Sequence, residues 1–112
     1  MGERERRIGL NEALFREVNE RVEQLAQALQ EPTETMALLC ECGNEGCHEQ
    51  IELTVAEYEE LRADPVLFAV KPGHEVENVE QVVERGDRYW VVRKRPGEPT
   101  TVAEELDPRG RR

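Results

Sequence analysis

The stretch LLCECGNEGCHEQIEL, residues 38–53, contains three cysteines in a C-x-C-x4-C pattern, followed directly by His48. Apolar runs lie on both sides of the cysteines, and Ile51 and Leu53 alternate with polar neighbours as in a half-buried strand. Gly43 and Gly46 allow a tight turn between the strands. The pattern therefore predicts a β-hairpin whose loop carries a zinc knuckle, with Cys40, Cys42 and Cys47 as thiolate ligands.

Zinc in a structural site takes four ligands, so the three cysteines need a partner. His48 adjoins Cys47, and neighbouring side chains of an extended chain point in opposite directions, which disfavours joint ligation. His74 follows a Pro72-Gly73 turn and lies on a distant segment, so its ligation would close a long loop. We favour His74 as the fourth ligand, and His48 remains the alternative.

Two other interpretations of the cysteines stay open. All three lie within eight residues, which is too crowded for an ordinary disulfide framework. They can be reduced thiols packed as small apolar groups, or a redox switch that releases zinc when the thiolates are oxidised. A sensor needs thiols with a low pKa, and the neighbouring Glu41, Glu45 and Glu49 work against that.

The remaining pattern predicts an α+β fold with a small antiparallel sheet. Strands are expected at residues 36–39, 50–54 and 66–70, followed by a hairpin of residues 79–85 and 88–95; a short helix over 75–84 is the competing prediction. Thr54 and Glu57 form a capping box that opens one short helix, residues 55–62. Tyr58 and Leu61 of this helix should face inward.

An amphipathic helix is predicted over residues 11–29, with Asn11 as its N-cap. Phe15, Val18, Val22 and Leu25 recur at spacings of three and four residues and form one apolar face. The face is too short for an isolated coiled coil, so it must pack on something. The candidates are its own domain, a second copy of the chain as a homodimer, or a helix of another protein.

The 112 residues fit one folded domain. We divide them into a flexible N-terminus at 1–10, the amphipathic helix at 11–30, a zinc-binding α+β domain at 36–95 and a flexible tail at 96–112. The tail is rich in proline, glycine and charge and has no apolar periodicity, which is typical of a flexible segment.

The charge distribution bears on possible partners. Net charge is −10, and residues 8–92 contain 19 acidic and 6 basic residues, a balance of −13. Such a surface repels phosphates, so nucleic-acid binding is not expected. No apolar run is long enough to cross a membrane, and the N-terminus lacks the apolar core of a signal peptide. We therefore expect a cytoplasmic protein.

The chain resembles a family of small, zinc-knuckle-like proteins from high-GC Gram-positive bacteria. The resemblance is carried by NEALFREVNERVEQLA (11–26), CECGNEGCHEQIELTVAEYEELRADP (40–65), PGHE (72–75) and VVERGDRYWVVRKR (82–95), so it covers most of residues 11–95. It implies that the shared ligands are Cys40, Cys42, Cys47 and His74, while the position of His48 varies. It implies no established activity.

We predict from these features a small zinc-stabilised binding or regulatory module that acts through protein–protein contacts. The alternative is a thiol-based redox sensor that releases zinc on oxidation. An enzyme is not expected, because three thiolates make zinc a poor Lewis acid. The sequence also lacks an HExxH motif, a deaminase signature, a Gly-rich phosphate loop and any serine.

Overall fold

The computed structural model describes residues 2–29, 34–44 and 46–111 and has the predicted α+β class. A long helix precedes two strands, a short helix, three further strands and a C-terminal helix with one 3-10 turn. In chain order the elements are α1 (Glu3–Leu29), β1 (Thr35–Leu39), β2 (Gln50–Thr54), α2 (Val55–Arg62), β3 (Leu67–Val70), β4 (Glu80–Arg85), β5 (Trp90–Lys94), α3 (Glu98–Glu105) and a 3-10 turn (Pro108–Arg111).

The strands form two antiparallel sheets rather than one. β1 pairs with β2 in a register that sets Met36 opposite Leu53 and Leu38 opposite Ile51, and these four side chains are buried. The second sheet has the order β3-β5-β4, with a register irregularity in β4. Residues 80–85 are therefore a strand, and the competing helix over residues 75–84 does not form.

Helix α2 begins with the predicted capping box. The Thr54 hydroxyl accepts a hydrogen bond from the Glu57 amide at 3.1 Å, and the Glu57 carboxylate accepts one from the Thr54 amide at 2.8 Å. These reciprocal bonds satisfy amides that a helix N-terminus otherwise leaves without partners. Tyr58 and Leu61 are buried in the core, as the sequence pattern indicated.

Helix α1 differs from the prediction in its start and in its buried face. It begins at Glu3, so Asn11 lies inside the helix and does not cap it. Of the predicted apolar face, Val18 and Leu25 are exposed, while Phe15 and Val22 are half-buried. The side chains that α1 buries are mostly polar: Ile8, Glu12, Arg16, Asn19, Glu20, Glu23 and Ala26.

Buried ion pairs explain why this polar face can pack inward. Arg16 pairs with Glu41, and Lys94 pairs with both Glu12 and Glu80; all of these side chains are at most 4% exposed. Burying a charge is costly unless a partner and hydrogen bonds compensate it. The partners lie on the cysteine loop and the second sheet, so α1 is held against both by these hydrogen-bonded pairs.

The C-terminal segment, which we predicted to be a flexible tail at 96–112, contains α3 and the 3-10 turn. Arg62 of α2 is paired with Glu20 of α1 at 3.2 Å and also with Asp107, which follows α3. Arg109 donates hydrogen bonds to Glu20 and Glu23 of α1. These long-range pairs dock the segment on α1 and α2.

None of the described helices is both long and apolar enough to cross a membrane.

Candidate metal centre

The cysteine loop turns back at the end of β1. The Cys40 amide donates to the Glu49 carbonyl at 3.1 Å, which continues the β1–β2 pairing by one bond. Further along, the Cys47 amide donates to the Asn44 carbonyl at 2.9 Å. Gly43 adopts a positive φ, a left-handed conformation that favours glycine. The loop backbone thereby turns the three cysteine side chains toward one point.

His74 reaches the same point from the connection between β3 and β4. Its amide donates to the Lys71 carbonyl at 2.9 Å and closes a turn around Pro72 and Gly73. Gly73 also has a positive φ, so the predicted Pro-Gly turn needs glycine at this position. The turn projects the imidazole toward the cysteine loop.

One ligand atom from each of Cys40, Cys42, Cys47 and His74 lies within 4.8 Å of the other three, so this group can hold a metal ion. His74 Nδ1 is 3.6 Å from the Sγ atoms of both Cys40 and Cys47. In a tetrahedral zinc site with Zn–S of about 2.3 Å and Zn–N of about 2.05 Å, sulfur and nitrogen are about 3.6 Å apart. These two distances therefore match the edges of a zinc tetrahedron.

The surroundings of the three sulfur atoms differ, because burial raises the pKa of Cys47 whereas the pKa of Cys42 is lowered. Cys40 and Cys42 are buried, and Cys47 and His74 are half-buried. The Lys71 amide donates to Cys40 Sγ at 3.1 Å. The hydrogen bond between Cys40 and Cys42 lowers the pKa of Cys42 to about 5 and raises the pKa of Cys40. A thiol must lose its proton to bind a metal, so a cation at the centre would displace the protons of these thiols.

Glu41, between two of the cysteines, points away from the cluster and is fully buried. Its Oε1 accepts from Arg16 Nη2 at 2.9 Å and from the Ala69 amide at 3.1 Å. Its Oε2 accepts from Arg16 Nε at 3.4 Å and from Asn19 Nδ2 at 3.0 Å. Glu41 therefore fixes the C-x-C segment to α1 and β3.

This anchor was missed at the sequence level, where Glu41 was treated only as one of the acidic residues around the cysteines. Its charge is in fact balanced by Arg16, so it does not face the sulfurs as a free anion. Asn19 adds to the same anchor, because its side chain bonds the Leu39 amide at 2.8 Å and the Leu39 carbonyl at 3.0 Å. The available signal was the i, i+3 spacing of Arg16 and Asn19 on one helix face.

His48, the alternative fourth ligand, is exposed and lies outside the four-residue group found among the described residues.

Comparisons of the chain with models of known protein families, with curated proteins and with solved structures found no match. The resemblance to zinc-knuckle-like bacterial proteins therefore stays a prediction, and the geometry of the site is the basis for a function.

Proposed function

We propose that Cys40, Cys42, Cys47 and His74 bind a zinc ion that stabilises a module for protein–protein contacts. The observation that carries the zinc assignment is the convergence of three sulfurs and one imidazole nitrogen within 4.8 Å. Thiolate-rich sets of this kind favour zinc over harder cations such as Mg²⁺ or Ca²⁺. Four protein ligands also complete a tetrahedral sphere, as in structural sites, and leave no position for a reacting water.

The role of the ion in this proposal is to join two parts of the chain. Cys40, Cys42 and Cys47 belong to the β1–β2 loop, whereas His74 belongs to the β3–β4 connection, 27 residues beyond Cys47. A bond across such a separation restricts the unfolded chain and favours the folded one. Zinc would therefore hold the first sheet against the second.

The contact function rests on the surface of α1. Leu10, Leu14, Val18, Leu25 and Leu29 are 40% to 80% exposed. Apolar side chains grouped on one exposed face, in a chain with a net charge of −10, are typical of a surface that binds another protein. We propose that the zinc-stabilised body presents this helix, and that the protein works in the reducing cytoplasm, where thiolates stay available for zinc.

Thermal unfolding with and without a chelator tests the structural role. Removing zinc should lower the melting temperature by about 10 °C or more, since one kcal/mol corresponds to roughly 3–6 °C in a chain of this size. The His74→Ala variant should show the same loss without chelator, and the matched His48→Ala variant should melt like the wild type. An unchanged melting temperature after complete metal removal would contradict a structural ion.

The same preparation separates this role from that of a redox sensor. Cys40 and Cys42 are almost completely buried, so oxidants reach their sulfur atoms slowly. We therefore expect zinc to remain bound at peroxide concentrations that oxidise an exposed low-pKa thiol. Stoichiometric zinc release, measured with a chromogenic chelator, would instead support the sensor.

A further inference from the structure

The exposed apolar side chains of α1 form a stripe along one side of the helix, with Arg21 between Val18 and Leu25. Successive helical residues are rotated by about 100°, so Leu10, Leu14, Val18, Leu25 and Leu29 fall within an arc of about 100°. This arc lies almost opposite the buried face that includes Glu12, Arg16 and Asn19. Helix α1 thus packs on the body with its polar face and presents its leucines outward, contrary to the usual orientation.

The stripe is locally balanced in charge although the protein is strongly acidic. Arg7 and Arg21 fall within the same arc, and Glu17 lies at its edge. Arg7 is also paired with Glu3 at 3.6 Å. A second copy of this face can therefore approach without the repulsion that a net charge of −10 produces elsewhere.

We propose that the stripe binds the same stripe of a second copy, with the two α1 helices antiparallel about a two-fold axis. This inference rests on the proposed function and names its partner. In the antiparallel register, Leu14 of one copy faces Leu25 of the other, and Leu10 faces Leu29. An isologous two-fold contact of this kind is the commonest way in which a chain pairs with itself.

Charge selects the antiparallel over the parallel arrangement. A parallel pair would set Arg21 directly opposite Arg21 and Arg7 opposite Arg7. The antiparallel pair instead places Arg21 of one copy beside Val18 and Glu17 of the other, so an opposite-charge pair lies on each side of the two-fold axis near the centre of the contact. Antiparallel helices also align their dipoles favourably.

The size of the surface sets the expected affinity. The stripe from Leu10 to Leu29 is about 29 Å long and about 10 Å wide, or roughly 300 Å² on each copy. Leu106 and Pro108 line a shallow groove beside Leu10 and Leu14 and widen the contact. The contact area on each copy is still below the roughly 800 Å² per partner that a stable dimer buries. We expect a reversible dimer with a Kd of about 10–100 μM.

Sedimentation equilibrium of the full zinc-loaded chain from about 5 to 500 μM tests the proposal. The wild type should shift from monomer toward dimer across this range. Leu25→Glu should weaken association at least tenfold, while Val83→Glu, at an exposed apolar position on β4, should leave it unchanged. Both variants should keep their zinc and melting temperature, because both side chains are more than half exposed.

The orientation has a separate test. Glu17→Arg and Arg21→Glu should each weaken the dimer, and the double variant should restore it, because the exchanged charges again face one another. A wild type that remains monomeric at the highest concentration would overturn the proposal, as would equal dimerisation of the Leu25→Glu and Val83→Glu variants. Either result, with zinc still bound, would leave the proposed structural role of the metal intact.

Discussion

The buried carboxylate of Glu41 provides a quantitative test of how the metal loop is held. Each of its oxygens accepts two donors, from Arg16 and the Ala69 amide at Oε1, and from Arg16 and Asn19 at Oε2. In Glu41→Gln, the amide NH2 group replaces one of these two oxygens, and in either orientation it faces two donors that it cannot accept from. The substitution also leaves the Arg16 charge without its counter-ion. Breaking a buried pair on one side costs about 3–5 kcal/mol. This is a large fraction of the roughly 5–15 kcal/mol that stabilises a domain.

Urea unfolding followed by circular dichroism, at a fixed zinc concentration, measures this loss. With a slope of about 1.5 kcal/mol/M, the midpoint should fall by about 2 M or more. The matched control is Asp64→Asn, which makes the same acid-to-amide change in a partly exposed pair with Arg93 at 2.7 Å. Such a pair contributes about 0–1 kcal/mol. If both variants lost the same amount, the buried pair would not anchor the loop.

Two further substitutions test the contacts of α1. A non-glycine residue in the left-handed region costs roughly 1–2 kcal/mol. Gly43→Ala should destabilise the fold by more than this, because its Cβ would lie 2.6 Å from the Ile8 carbonyl oxygen. The control in urea unfolding is Gly73→Ala, which has a positive φ but open space around it. Equal losses of stability in the two variants would exclude the clash. Burial raises the pKa of Glu12 to about 8 despite the nearby Lys94. Because the folded-state pKa of Glu12 is raised above the ordinary 4.5, protonated Glu12 contributes fully to the stability of the fold below about pH 4.5. This contribution is lost as pH rises through about 8. The difference between the urea midpoints of Glu12→Gln and of the wild type should therefore shift in favour of the variant as pH rises from about 5 to about 9. A difference that stays constant over this pH range would refute the reasoning.

Local signals were sufficient for much of the fold. The alternation of Ile51 and Leu53, the Thr54 capping box and the Pro72-Gly73 turn each depend on residues close in sequence, and each appears where the pattern placed it. The choice of His74 over His48 came from chain geometry, and the structure brings His74 to the three sulfurs. Short-range stereochemistry was enough to predict these features.

The packing of α1 could not be predicted in the same way. Hydrophobic periodicity selected Val18 and Leu25 as a packing face, whereas the helix buries Arg16 and Glu12. A charged residue can be buried only if its partner is near in space, and here the partners are distant in sequence. Glu41, the partner of Arg16, follows in the cysteine loop, and Lys94, the partner of Glu12, lies at the end of the last strand. The C-terminal helix depends on similar long-range pairs, and composition alone therefore suggested a flexible tail.

Native mass spectrometry of protein purified without added metal or chelator tests the central claim most directly. We predict one zinc ion per chain, retained in His48→Ala and lost or strongly weakened in His74→Ala, because only His74 joins the three sulfurs among the described residues. The same spectra report the oligomeric state. A chain with three free thiols and no metal, or one that loses zinc in His48→Ala but keeps it in His74→Ala, would contradict the proposed site.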